Sequence, residues 1–186
     1  KNPFLTYLIS QYHMDECKTS CSKCLSVFTN MPYHGLLDWR LGLSYLRIHL
    51  DKNYQAGLEN NYSDFIELSN LSNDFKNLRN ILKSYIEPVY GNHLELIDYD
   101  NNGIFGFIAK SKHQNIRNDK IVLLVHPFWN IEENMWDNSK LCDAYEEILE
   151  NGSWNLPESE QVFFADTFNL ARRPGKIYQD FIKSIS

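Results

Sequence analysis

The chain has 186 residues, 43% of them hydrophobic, enough to bury a core in one domain or in a small domain joined to a medium one. It holds no apolar run of the ~18 residues a membrane span needs and no signal-peptide pattern at its start, so a cytoplasmic chain without a membrane partner is expected. The net charge of −6 argues against a dedicated polyanion binder, because non-specific nucleic-acid affinity comes mostly from Lys and Arg neutralising phosphates; any such contact has to be local.

The chain opens on Lys1 and the apolar stretch "NPFLTYLIS", and is expected to be part of something longer. Phe4, Tyr7, Leu8 and Tyr12 recur at helical steps and lead into a cluster of cysteines. After it, Leu36, Trp39, Leu43, Leu46 and Leu50 form one apolar face of a second helix, with Arg40 and Arg47 off that face. Residues 1–51 thus read as a helix–knuckle–helix segment. The Asn-, Ser- and Tyr-rich stretch 52–73 reads as a connecting loop with one short helix at most.

A second pattern starts at Asn73 or Asp74 as N-cap, runs through Phe75, Leu78, Leu82 and Tyr85, and is expected to end at Pro88. "HLELIDYD", the turn "NNG" and "IFGFIAK" predict a β-hairpin. "KIVLLVHP" predicts a buried central strand. "NSKLCDAYEEILENG" predicts a helix, "QVFFADTF" a fourth strand and "KIYQDFIKSI" a closing helix. Residues 74–186 therefore form an α/β domain with a roughly four-stranded mixed sheet in the order α-βββ-α-β-α. The class as a whole is α+β, and the α-βββ-α-β order is shared by the restriction-endonuclease-like fold.

Cys17, Cys21 and Cys24 have the spacing C-x3-C-x2-C, and Cys142 stands far away. Three bunched thiols in a reducing compartment do not resemble a secreted disulfide framework. Metal binding is the better reading, because thiolates crowded by a turn need a compensating cation and tetrahedral Zn²⁺ takes sulfur and imidazole ligands in sets of four. His34, ten residues after Cys24 and beyond the turn signal "NMPY", is the favoured fourth ligand. His13, one helical turn before Cys17, and Cys142 compete with it. So much sulfur points to a closed, structural site, with an iron–sulfur cluster as the alternative to zinc.

Catalytic signals are sparse. The second and third strands carry none of the carboxylates a metal-dependent nuclease needs, and Asp98 and Asp100 are explained by the turn beside them. His126 has no identifiable partner and reads as a structural histidine. No phosphate-binding G-x-x-x-x-G-K-[ST] loop occurs, so this chain alone is not an ATP-driven motor. Two basic groups remain: Lys110, Lys112, His113, Arg117 and Lys120, then Arg172, Arg173 and Lys176. Each has a solvated-surface explanation, and Arg172 and Arg173 could clamp phosphate or pair with Asp166.

"CKTSCSKCL" followed by "NMPYHGLLDWRLGLSYL" resembles the zinc-binding segment near the C-terminal end of bacterial DEAD/DEAH-box superfamily 2 helicases of the mitomycin-repair-factor type, whose relatives act in phage defence. "LLVHPFWN" and "ADTFNLARRP" resemble the extension that follows it. The resemblance implies a non-catalytic accessory region beside the helicase core of the same parent protein, helping to form an exit path for single-stranded DNA. It also implies that Cys17, Cys21 and Cys24 hold a metal. The four-cysteine version of the segment has its last thiol where Asn30 stands here, which leaves the fourth ligand to His34 or a distant residue. Arg172, Arg173 and Lys176 are the expected nucleic-acid contacts. Rival readings are a protein-interaction scaffold using the 14% aromatic residues as anchors, and a metal-dependent nuclease.

Overall fold

A computed structural model describes residues 2–112, 119–131, 140–151 and 162–185. The architecture is α+β, and the chain divides into two compact units, 1–57 with 61–70 and 58–60 with 71–186. Among the described residues no helix is long and apolar enough to cross a membrane.

The first unit is helical. Where one helical stripe was expected over residues 4–12, the chain makes two short helices, α1 (Pro3–Leu8) and α2 (Gln11–Glu16). Ser10 causes the break: its Oγ donates to the Tyr7 carbonyl at 2.7 Å and accepts the His13 N–H at 3.2 Å, which starts a new helix in a new direction. A 3-10 stretch, Phe28–Leu36, follows the cysteines. The helix α3 (Trp39–Leu50) begins later than its Leu36-led stripe suggests, because Asp38 caps it by accepting the N–H groups of Arg40 and Leu41.

Residues 52–70 are more than a connector. Tyr54, Ala56, Tyr62 and Leu68 are buried in the first unit. The buried Glu67 carboxylate accepts hydrogen bonds from Arg47 Nε and from the Tyr54 hydroxyl, which also pairs with Ser44. A polar, Asn-rich composition hid this segment because its fasteners are polar side chains and not an apolar stripe.

The second unit carries the mixed sheet. The helix α4 (Leu71–Tyr90) starts two to three residues before the expected cap and passes through Pro88. Proline removes only one ladder donor, and Gly91 N–H resumes the ladder by donating to Glu87 O. Strands β1 (Leu94–Asn101) and β2 (Ile104–Ser111) form the expected hairpin around Asn102 and Gly103, both at positive φ, as a two-residue loop of this hand requires. Strand β3 (Lys120–Val125) is buried throughout and pairs antiparallel with β2. After α5 (Lys140–Glu150), strand β4 (Val162–Asp166) pairs parallel with β3, giving the order β1-β2-β3-β4.

Alternation along β1 separates the two faces of the sheet. Asp98 and Asp100 pair with Arg79, Lys83 and Lys76 of α4, whereas Tyr99 and Asn101 reach Glu147 of α5. Phe105 meets Phe75 of α4, on the Asp98/Asp100 face. The fourth strand is shorter than its sequence signal: Asp166 accepts the Asn169 N–H and starts α6 (Thr167–Arg172), followed by α7 (Pro174–Ile185). The expected helix residues 138, 139 and 152 lie outside the described residues.

Candidate metal centre

The break at Ser10 decides the site. By restarting the helix it brings His13 Nδ1 to 2.9 Å from the Leu8 carbonyl. A carbonyl only accepts, so Nδ1 carries the proton and Nε2 keeps its lone pair for a cation. That Nε2 lies 3.7 Å from Cys21 Sγ, and Cys17 Sγ lies 3.8 Å from Cys24 Sγ. The ligand atoms of His13, Cys17, Cys21 and Cys24 all fall within 4.8 Å of one another.

The 3.7 and 3.8 Å separations fit a tetrahedral ion. With Zn–S near 2.3 Å and Zn–N near 2.0 Å, the edges of the tetrahedron are about 3.8 Å between sulfurs and about 3.5 Å between sulfur and nitrogen. All four cysteines of the chain are free thiols, and a 3.8 Å gap between Cys17 and Cys24 is far longer than the ~2.05 Å of a disulfide. Four residues thus lie close enough to hold a metal ion, in a set of three sulfurs and one nitrogen.

Local backbone supports the sulfur half. Cys21 N–H donates to Cys24 Sγ at 3.1 Å, and Cys21 O accepts the N–H groups of Cys24 and Ser26. The His13 and Cys17 half sits against Trp39, whose indole N–H donates to Cys17 O at 2.9 Å and whose ring meets His13 edge-on at 5.3 Å. Leu8, Cys17 and Trp39 are buried together, with Met14, Leu25 and Leu43 packed on them.

The thiols are electrostatically unequal. Burial, then hydrogen bonds with Cys21 and Cys24, push Cys17 up to about 12. Burial also opposes ionisation of Cys21, but hydrogen bonds, led by the one from the Lys23 backbone, outweigh it and draw the Cys21 pKa below the ordinary thiol value. Metal uptake displaces whatever protons the thiols still carry.

His34 is not part of this group. Its Nε2 lies 3.0 Å from Val27 O and 2.9 Å from Asn30 Oδ1, inside its own 3-10 turn. "NMPY" does fold the chain back, but onto the turn and not onto the thiols. Asn30 accepts Val27 N–H and donates to Leu25 O, closing the loop by hydrogen bonds. The histidine that joins the cysteines is His13, the competitor one helical turn away. Cys142 lies on α5 in the second unit, 3.5 Å from Glu146 Oε1.

The basic residues fare differently. Arg172 stacks its guanidinium 3.8 Å over the Phe168 ring of its own helix. Asp166 spends an oxygen on the α6 cap. Arg173 and Lys176 are exposed around the start of α7. Lys112 donates to Gly91 O, Lys120 is buried, and His113 and Arg117 lie outside the described residues. His126 is buried and its Nδ1 accepts the Phe128 N–H at 3.2 Å. Asp98 is engaged by both Arg79 and Lys83, and Asp100 by Lys76.

Comparisons with protein-family models, with curated proteins and with solved structures give no match to this chain.

Proposed function

We propose that the chain is a non-catalytic accessory region of an ATP-dependent DNA helicase, in which His13, Cys17, Cys21 and Cys24 hold a structural zinc ion that staples the first unit. The observation that carries the metal part is the group of four ligand atoms within 4.8 Å of one another, two of whose separations, 3.8 and 3.7 Å, match the edges of a tetrahedron around zinc. Bound zinc supplies charge compensation for the thiolates and about 10–16 kcal/mol of apparent folding energy in small zinc peptides. The ligand set is filled by protein groups, so it leaves no open position for a reacting water. His13, Cys17, Cys21 and Cys24 therefore act on stability and shape.

The helicase assignment rests on the resemblance of the cysteine segment and its downstream "LLDWRLGL". Among the described residues β2 and β3 bear no carboxylate, and Asp98 and Asp100 of β1 are paired with Lys76, Arg79 and Lys83 of α4, which is compatible with a non-catalytic role. Arg173 and Lys176 are the exposed cations that would meet a phosphate backbone, adding affinity without sequence preference.

Metal analysis of the purified chain tests the first part. One zinc per chain is expected, lost in Cys21→Ser together with a large drop in melting temperature; a metal-free wild type that melts like the variant rejects it. Single-strand binding as a function of salt tests the second. Arg173→Ala/Lys176→Ala should weaken binding and flatten the salt slope by up to about two phosphate contacts, and an unchanged slope removes these residues from the DNA path.

A second reading, a protein-docking module, is favoured by one observation. Phe28, Met31, Tyr33 and Leu36 expose large apolar surfaces along the 3-10 stretch, Phe28 to 85%. Absence of DNA binding at low salt, with loss of partner capture in Phe28→Ser, would favour that reading.

A further inference from the structure

The four ligands fall into two halves that are held by different means. Cys21 and Cys24 are set by their own turn, through the Cys21 N–H to Cys24 Sγ bond and the two N–H groups on Cys21 O. His13 and Cys17 come from α2, six residues long, and its C-cap. So short a helix is marginal by itself. Something outside α2 has to hold those two ligands, and the structure supplies it 22 residues downstream of Cys17.

We infer that Trp39 is the positioning residue through which metal occupancy fixes the start of α3: it holds Cys17 through its indole N–H and His13 through its ring edge. The inference rests on the metal reading above and goes beyond it, since a staple could equally close on itself without reaching α3. Three contacts carry it. The indole N–H donates to Cys17 O, the Trp39 backbone N–H donates to Thr19 O at 2.9 Å, and the ring packs against His13 at 5.3 Å. Trp39 is only 2% exposed, so none of these contacts competes with water. Leu8 O holds the opposite side of the imidazole by accepting from Nδ1.

Linkage then works in both directions. If Trp39 holds two ligands in place for the ion, the ion holds Trp39, and with it the first turn of α3, by the same free energy. An indole donor is required for this, because the partner is a backbone carbonyl. A phenyl ring would preserve most of the packing while leaving Cys17 O without its buried donor.

The test compares Trp39→Phe with Leu43→Ala, a core truncation on the same helix that touches the cluster without bonding to a ligand residue. Zinc affinity is measured by chelator competition, and the cobalt-substituted spectrum reports the ligand set. Trp39→Phe is expected to weaken metal binding by about 10–100-fold, the usual range for an outer-shell contact, with one ion per chain and an unaltered cobalt spectrum. Leu43→Ala is expected to lower the melting temperature with the dissociation constant unchanged. If Trp39→Phe binds zinc as tightly as the wild type, Trp39 is a core residue only and the inference is overturned. If the wild type takes up no metal, the metal reading itself fails, a result separable from the first. Should Trp39→Phe fail to fold, the indole N–H of the wild type decides: slow hydrogen exchange with metal and fast exchange without it supports the coupling, and metal-independent exchange overturns it.

Discussion

His13 and His34 differ in what their ring nitrogens are left to do. His34 spends Nε2 on Val27 O and Asn30 Oδ1, whereas His13 spends Nδ1 on Leu8 O and turns Nε2 toward Cys21. His13→Ala should therefore weaken metal binding by more than the about 10–100-fold of an outer-shell contact, and change the cobalt spectrum. His34→Ala should leave both unchanged and cost about 1 kcal/mol of stability from its lost hydrogen bonds. Metal competition and thermal melting of the two variants check this. The C-x3-C-x2-C spacing was readable because a short turn brings its own residues together. The choice of histidine was not, because His13 is aimed by a side-chain cap at Ser10 that interrupts an otherwise continuous apolar stripe.

Among elements, α3 is fastened at both ends by polar groups. Trp39 ties its start to Cys17, and Ser44, Arg47, Tyr54 and Glu67 tie its second half to the 54–68 segment. Burial holds the Tyr54 pKa well above the ordinary tyrosine value; the Ser44 hydrogen bond partly offsets this, and the charge and hydrogen bond of Glu67 add to it. A folded pKa above the unfolded value of about 10 means stability that is complete below about pH 10 and lost as pH climbs toward the folded value. Tyr54→Phe should flatten this alkaline loss and lower stability near neutrality by about 1–2 kcal/mol. Melting curves across the alkaline range decide it, with Tyr99→Phe as the matching change in the second unit, where burial and Glu147 raise the Tyr99 pKa in the same direction. The hairpin was legible because Asn102 and Gly103 supply the backbone signs its turn needs. The start of α6 was not, because Thr167 and Phe168 read as a continuation of the strand although the Asp166 cap has already ended it.

At the scale of the molecule, the two units have unequal means of support. The second buries Phe75, Phe107, Phe181, Ile121 and Leu123 completely around a four-stranded sheet. Around the thiols the first buries Leu8, His13, Cys17 and Trp39, a small core that a metal staple would support. Chelation should therefore open residues 1–50 to hydrogen exchange while β2 and β3 keep their protection. Exchange of the full chain with and without chelator reads this directly, and equal protection in both states would show that the first unit stands without metal.

By itself the sequence determined the thiol cluster, the α-βββ-α-β-α order and the tight hairpin, because each is written in spacing, period or backbone sign over a few neighbouring residues. Tertiary structure alone decided which histidine meets the sulfurs, that residues 54–68 belong to a core, and that Trp39 reaches back 22 positions to Cys17. The physical reason is common to all three. A hydrogen-bonded cap or a buried polar pair redirects the chain by local geometry, and its partner is chosen by what burial leaves within reach, which composition and periodicity do not encode.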